Sequence, residues 1–160
     1  MEMVWVRTLK TDIPGVIIRK FGKGTVIYFP FDLDRTFWEV LCADHAKLME
    51  NAVEVAMNGR QPVTVSGPGV LDVTVWRQKS SMTVHLVNLT NPMMMKGPVR
   101  ELIPVGHQVV RVQIPQGRTV THVHLLRAGL NPTYEMDADY LVVNVPAILD
   151  HEVVAIDLKS

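Results

Sequence analysis

The chain has 160 residues, of which 48% are apolar and 20% charged, and its sixteen basic side chains balance sixteen acidic ones. This composition excludes an extended disordered chain and allows one domain or two small ones with a buried core. The net charge is zero and no segment resembles the basic stripe that neutralises phosphates, so we expect no nucleic-acid partner. Neutrality also permits association between copies of the chain.

Targeting and redox features point to the cytoplasm. The only cysteine is Cys42, so no internal disulfide is able to form, as is usual in reducing compartments. The N-terminus has no basic region followed by a long apolar one, which excludes a signal peptide in this sequence. No apolar run reaches the roughly 20 residues that span a bilayer. We therefore expect a cytoplasmic protein without a membrane partner.

Residues 1–60 have the pattern of strands followed by a helix. Residues 3–9 alternate weakly, and residues 16–18 form a short β-branched run. Residues 22–24, Gly-Lys-Gly, predict a turn whose glycines allow positive φ. Residues 25–29 form a nearly continuous apolar run, which is typical of a strand covered on both faces.

A single long helix is predicted next. Asp34 is the candidate N-cap, and Asn58-Gly59 supplies a stop signal. Asp44 is able to restart the helix after a break near Ala43. One apolar stripe follows three- and four-residue spacing along it: Leu41, His45, Leu48, Met49, Ala52, Val53 and Ala56. Strands and one helix do not complete an α/β domain, so residues 1–60 are interpreted as the remnant of one.

The pattern changes at residue 61. Seven or eight short segments alternate at period two and are separated by turn signals such as Gly67-Pro68-Gly69. This is the pattern of an antiparallel β-sandwich over residues 61–160. The predicted fold class is therefore α+β and mainly β: a partial α/β unit of strands plus one long helix, followed by the sandwich.

Two carboxylates, Asp32 and Asp34, lie between a predicted strand and a predicted helix. Glycoside hydrolysis uses a pair of carboxyl groups, and α/β folds bind ligands at the carboxyl ends of strands. The favoured interpretation is structural, with Asp34 capping the helix and Asp32 shaping the turn and pairing with Arg35.

His122 and His124 are two residues apart, so they share one face of a predicted strand. A metal site would need further ligands, and the candidates are His85, His107 and His151. The favoured interpretation places both histidines on the solvent face, with Val123 and Leu125 pointing inward. We expect neither a metal nor a cofactor.

Trp76 is the first candidate for contact with a carbohydrate, because alternation places it opposite the inward Val73 and Val75. The loop that follows residue 88 is a second candidate, with Asn88 and Asn91 as polar groups. It contains the run Met93 to Met95, which is typical either of an adaptable contact surface or of a plug at one end of the sandwich. The favoured interpretation is a buried contact, either against the helix or against a partner chain, because exposed apolar patches are uncommon.

Several segments resemble a known family. Residues 22–30, GKGTVIYFP, with residues 32–38, DLDRTFW, are similar to the closing strand and helix of a glutamine-amidotransferase-like (flavodoxin-like) domain. That domain follows the catalytic barrel in bacterial β-galactosidase-like glycoside hydrolases, where it is known as the trimerisation domain. Residues 71–78, LDVTVWRQ, and 83–92, TVHLVNLTNP, resemble the β-sandwich that ends these proteins. Catalytic acids of the family lie on the barrel, which nothing here matches, so the resemblance implies an accessory role and gives no catalytic residue.

Three hypotheses for function follow. The first is a non-catalytic structural and oligomerisation module of a glycoside hydrolase-like protein, in which residues 1–60 form a homo-oligomer, with a dimer favoured, because open strand edges and an apolar helix face need a cover. The second is a carbohydrate-binding sandwich that uses Trp76 or the loop from Thr90 to Pro98 as the contact. The third is a small hydrolase that uses Asp32 and Asp34.

Overall fold

A computed structural model describes residues 11–90 and 101–160. Contacts divide the chain into two compact units, Met1–Gln61 and Pro62–Ser160. The strand predicted over residues 3–9 lies outside the described residues. Within the described part, no helix is both long and apolar enough to cross a membrane.

The first unit begins with an antiparallel hairpin. Strand β1, Ile17–Phe21, pairs with β2, Gly24–Tyr28, so that Ile17 lies opposite Tyr28 and Phe21 opposite Gly24. The turn between them places Gly22 at φ +57°, a conformation that costs glycine little and other residues more. The predicted turn is therefore confirmed, and it joins two antiparallel strands.

Two helices follow, whereas the sequence predicted one long helix. Helix α1 covers Leu33–Val40 and α2 covers Ala43–Ala56. The break occurs because Leu41 takes the left-handed conformation, φ 50°, and its N–H donates to the Phe37 carbonyl, which ends α1. A break near Ala43 was allowed by the sequence. Asn58 and Gly59, at φ 54° and 70°, terminate α2 as predicted.

The start of α1 corrects the capping assignment. The N-cap residue is Asp32, and Asp34 lies inside the first turn of the helix. The Asp32 side chain makes no cap hydrogen bond and instead pairs with Arg35, Oδ2 to Nε 2.6 Å. The predicted Asp32–Arg35 pair is thus confirmed, while Asp34 supplies only a favourable negative charge near the helix N-terminus.

The second unit is an antiparallel β-sandwich, as the sequence predicted. Its strands are β3 Val63–Ser66, β4 Leu71–Arg77, β5 Ser81–Asn88, β6 Gln108–Gln113, β7 Thr119–Leu125, β8 Tyr134–Asp137, β9 Tyr140–Val145 and β10 His151–Lys159. One four-stranded sheet has the order β4-β5-β10-β7 and the other the order β3-β6-β9-β8.

The sandwich core follows from the alternation of these strands. In β5 the buried residues are Met82, Val84 and Leu86, and the residues between them face outward. The inward-facing apolar side chains of the two sheets pack together into a single cluster. The cluster contains Met82, Val84, Leu86, Val105, Val110, Val112, Ile114, Val123, Leu125, Leu141, Val143, Val145, Ile148, Val154, Ile156 and Leu158.

A buried carboxylate fixes the loop after β7. Glu152 is only 2% exposed, and its oxygens accept hydrogen bonds from the backbone N–H groups of Arg127, Ala128 and Val153 at 2.8–3.0 Å. Three N–H donors satisfy a carboxylate that would otherwise be costly to bury. The loop that they fix lines a pocket described below.

Candidate functional site

The hairpin exposes one apolar face. Ile17, Phe21, Val26 and Tyr28 share it through register and alternation, and they are 42%, 74%, 49% and 57% exposed. We call these four residues the hairpin face. On the opposite face, Thr25 and Ile27 of β2 are half-buried, whereas Ile18 of β1 is 59% exposed. Residues 25–29 were expected to be covered on both faces, and among the described residues they are not.

The helices of the first unit also expose large apolar side chains. Trp38 on α1 is 64% exposed. Val40 and Leu41 beside it, and Val53 on α2, are also more than half exposed. Within residues 11–61, Leu33 alone is fully buried. Exposure of this kind is typical of a surface that another protein covers.

The two acids, Asp32 and Asp34, both lie on the surface at the start of α1. Asp32 is engaged by Arg35, as described above, and its side chain is half exposed. This arrangement agrees with the structural interpretation of Asp32, whereas Asp34 does not cap the helix as that interpretation had it. The hydrolase hypothesis for these acids stays a prediction, which Asp32→Asn and Asp34→Asn variants would test by turnover.

Trp76 lies on the outer face of the β4-β5-β10-β7 sheet. It is 62% exposed on edge strand β4, opposite Thr83 of β5. The next strands along the same row contribute Ala155 and then His124. Trp76 therefore borders a shallow row with small side chains in the middle, consistent with the predicted outward position.

His122 and His124 share that outer face, as alternation predicted. Their rings are stacked with centroids 5.8 Å apart, and His124 Nδ1 lies 2.8 Å from Asn131 Oδ1. Among the described residues, no three histidine, cysteine or carboxylate side chains are grouped to hold a metal ion. The hydrogen bond from His124 instead orients Asn131 at the rim of a pocket.

Asn88 has an internal role. Its amide nitrogen donates to the carbonyls of Ile103 and Leu149, both at 2.8 Å, and its oxygen accepts from the Thr90 N–H at 2.9 Å. These bonds occupy the amide, so we do not retain Asn88 as a ligand contact. Asn91 and the Met93 to Met95 run lie outside the described residues.

A pocket opens at one end of the sandwich, with a volume of about 520 Å³. It lies between the loop from Leu125 to Thr133 and the chain around His107 and Asn144. Its volume is within the range of roughly 300–1,000 Å³ that is usual for small-molecule sites.

Three of the four polar lining residues in this pocket are linked by hydrogen bonds. His107 Nε2 lies 3.1 Å from Asn144 Oδ1, and Asn144 Nδ2 donates to Thr133 Oγ1 at 3.2 Å. Asn131 is the fourth polar lining residue. Sequence reasoning considered His107 only as a metal ligand and missed the other three, because they come from separate segments without a spacing motif.

The apolar part of the pocket consists of two leucines and two prolines: Leu125, Leu130, Pro132 and Pro146. Leu125 and Leu130 form an isolated β-bridge that closes the loop after β7. The Glu152 carboxylate fixes the same loop by accepting hydrogen bonds from the backbone N–H groups of Arg127 and Ala128. The pocket wall is therefore fixed by backbone hydrogen bonds.

Comparison with known proteins adds information on the fold. No family model matches the chain, and no curated protein matches it. Among solved structures, the chain is similar to "Alpha-L-fucosidase isoenzyme 2 from Paenibacillus thiaminolyticus", with a TM-score of 0.73 and 16% sequence identity. The match covers 92% of this chain and 22% of that chain, so the chain spans about a fifth of the length of the fucosidase. The chain thus has a fold that occurs within a glycoside hydrolase.

Proposed function

We propose that the chain is a non-catalytic structural module of a glycoside hydrolase-like protein, and that residues 1–60 assemble it with a second copy. The single observation that carries the assembly is the hairpin face, where four large apolar side chains are 42% to 74% exposed. The similarity to about a fifth of a fucosidase chain supports the role of accessory module. The match leaves most of the fucosidase chain uncovered, which is compatible with catalytic residues that lie outside the matched part.

The chemistry of the first unit favours a second copy as the cover. A two-stranded hairpin is marginally stable by itself and needs further strands or helices against it. Among the described residues no third strand pairs with β1 or β2, so within that part of the chain neither outer edge has a strand partner. Zero net charge removes long-range repulsion between copies. A symmetric dimer would bury the same apolar face from both partners.

Light scattering on a sizing column, across a concentration series, measures this assembly. We expect a dimer mass for the unmodified chain at high concentration. Phe21→Glu places a charge on the hairpin face, and burying an unpaired charge is costly, so the dissociation constant should rise more than tenfold. The same substitution at Val26 is expected to act in the same direction.

Met136→Glu is the matched control, because Met136 is a half-exposed apolar residue on strand β8 of the sandwich. It should leave the dimer intact. Dissociation by Met136→Glu but not by Phe21→Glu would place the interface on the sandwich. A monomer at every concentration would contradict the assembly.

A further inference from the structure

The geometry points to a binding site for neutral carbohydrate in the pocket at the end of the sandwich, lined by His107, Asn131, Thr133 and Asn144. The site is separate from the hairpin face and goes beyond the assembly role, so either proposal is able to fail alone. Its volume of about 520 Å³ is large enough for a small sugar.

The polar groups have hydrogen-bonding capacity left for a ligand. Asn144 uses its oxygen toward His107 and one N–H toward Thr133, and its amide nitrogen carries a second N–H. Thr133 accepts the bond from Asn144, which leaves its hydroxyl hydrogen for an acceptor. The side-chain oxygen of Asn131 accepts a hydrogen bond from His124, so both N–H donors of the Asn131 amide are available.

The types of group decide the class of ligand. Amides, a hydroxyl and an imidazole both donate and accept hydrogen bonds, as the hydroxyl groups of a sugar also do. No aspartate, glutamate, lysine or arginine lines this pocket, so nothing there favours a charged ligand. Leu130, Pro132 and Pro146 beside the polar groups offer an apolar wall to the C–H face of a sugar ring.

Preorganisation strengthens this assignment. Asn144 is held on strand β9, where its backbone N–H also donates to the Thr133 carbonyl at 3.0 Å. Asn131 is oriented by the 2.8 Å contact with His124. Side chains that are already oriented lose less conformational entropy on binding, which favours affinity.

The alternative surface for a sugar is the row beside Trp76, which has one exposed aromatic ring. That row is an open face of a sheet, whereas the pocket is concave and groups four polar side chains. The pocket is therefore favoured, and Trp76 supplies a control outside it.

The test is a titration followed by ¹H–¹⁵N correlation spectra, with L-fucose, D-galactose and D-glucose as separate probes. At least one sugar should shift the amides of the lining residues with millimolar affinity. Thr133→Val removes a hydroxyl with little change in shape, and Asn131→Ala removes exposed donors. Each is expected to weaken binding about tenfold, the effect of losing one well-placed hydrogen bond.

Trp76→Ala is the control and should leave the affinity unchanged. Loss of binding with Trp76→Ala, and none with Thr133→Val or Asn131→Ala, would move the site to the sheet face and overturn the pocket assignment. Binding of N-methylacetamide without binding of any sugar would overturn the carbohydrate class in favour of a peptide-like ligand. No shift of pocket amides with any of the three sugars would overturn the proposal, whatever the mass in solution.

Discussion

The two units of the chain differ in how they bury apolar side chains. The sandwich packs sixteen buried residues into one cluster between its sheets. The first unit fully buries only Leu33 within residues 11–61, although it carries exposed aromatic residues such as Phe21 and Trp38. Alternating strands in two facing sheets have a partner for every inward face, whereas a hairpin and two helices leave faces without one. The second unit therefore supplies its own core, whereas the described part of the first unit leaves large apolar side chains exposed.

The largest effect should come from the sandwich core. Leu141 is fully buried on β9, and Leu141→Ala is expected to lower the free energy of unfolding by about 2–5 kcal/mol because it leaves a cavity. Trp38→Ala in the first unit is the matched truncation of an exposed residue. Below the concentration at which copies associate, we expect it to change stability by less than about 0.5 kcal/mol. Urea unfolding measures both, and similar losses would remove the contrast between the units.

A smaller loss is expected at the buried carboxylate. Glu152→Gln replaces one acceptor oxygen with an amide that faces backbone N–H donors, so a buried donor loses its partner. The free energy of unfolding should fall by about 1–3 kcal/mol. Glu135→Gln on strand β8 is an exposed control that should have little effect. If Glu152→Gln were as neutral as the control, the carboxylate would not be what fixes the pocket loop.

The smallest effect depends on pH. The backbone N–H of His151 donates to the Asp150 carboxylate and holds the pKa of Asp150 below its usual value. The His151 side chain and Arg127 lower this pKa further. A lowered pKa means that the charged form stabilises the fold above the unfolded carboxyl pKa of about 3.9, and that this stability is lost as the pH falls through the folded value. The stability gap between the wild type and Asp150→Asn should therefore shrink in acid.

Urea midpoints measured from neutral pH to below pH 4 check this, since about 3.9 is the ordinary aspartate pKa. A gap that stays constant over the whole range would show that Asp150 does not contribute through its charge. Asp150→Asn changes no residue of the sandwich core. Its effect on stability therefore measures the contribution of surface charge separately from that of apolar burial.

The sandwich was predictable from the sequence because its physical cause is local. The alternation of apolar and polar residues along a strand such as β4 predicts that Val73 and Val75 face inward and Trp76 outward. Turn residues mark where each strand ends. The outward position of His122 and His124 was predicted for the same reason. The fold class, mainly β with an antiparallel sandwich, is confirmed.

The remaining features depend on contacts that alternation does not encode. Residues 25–29 have the apolar run of a doubly covered strand, but whether a cover exists depends on partners outside the run. The left-handed Leu41 that divides the helices carries no glycine or proline signal. The pocket joins His107, Asn131 and Asn144 from distant segments, so only the folded chain groups them.

The most direct test of the central claim is hydrogen exchange of the backbone amides at two protein concentrations. The account predicts that amides of β1 and β2 gain protection as concentration rises, while those of β5 and β9 in the sandwich stay equally protected at both. Equal protection of the hairpin at both concentrations, including one at which the mass is that of a monomer, would contradict it. That result would mean that the hairpin face does not depend on a second copy for its cover.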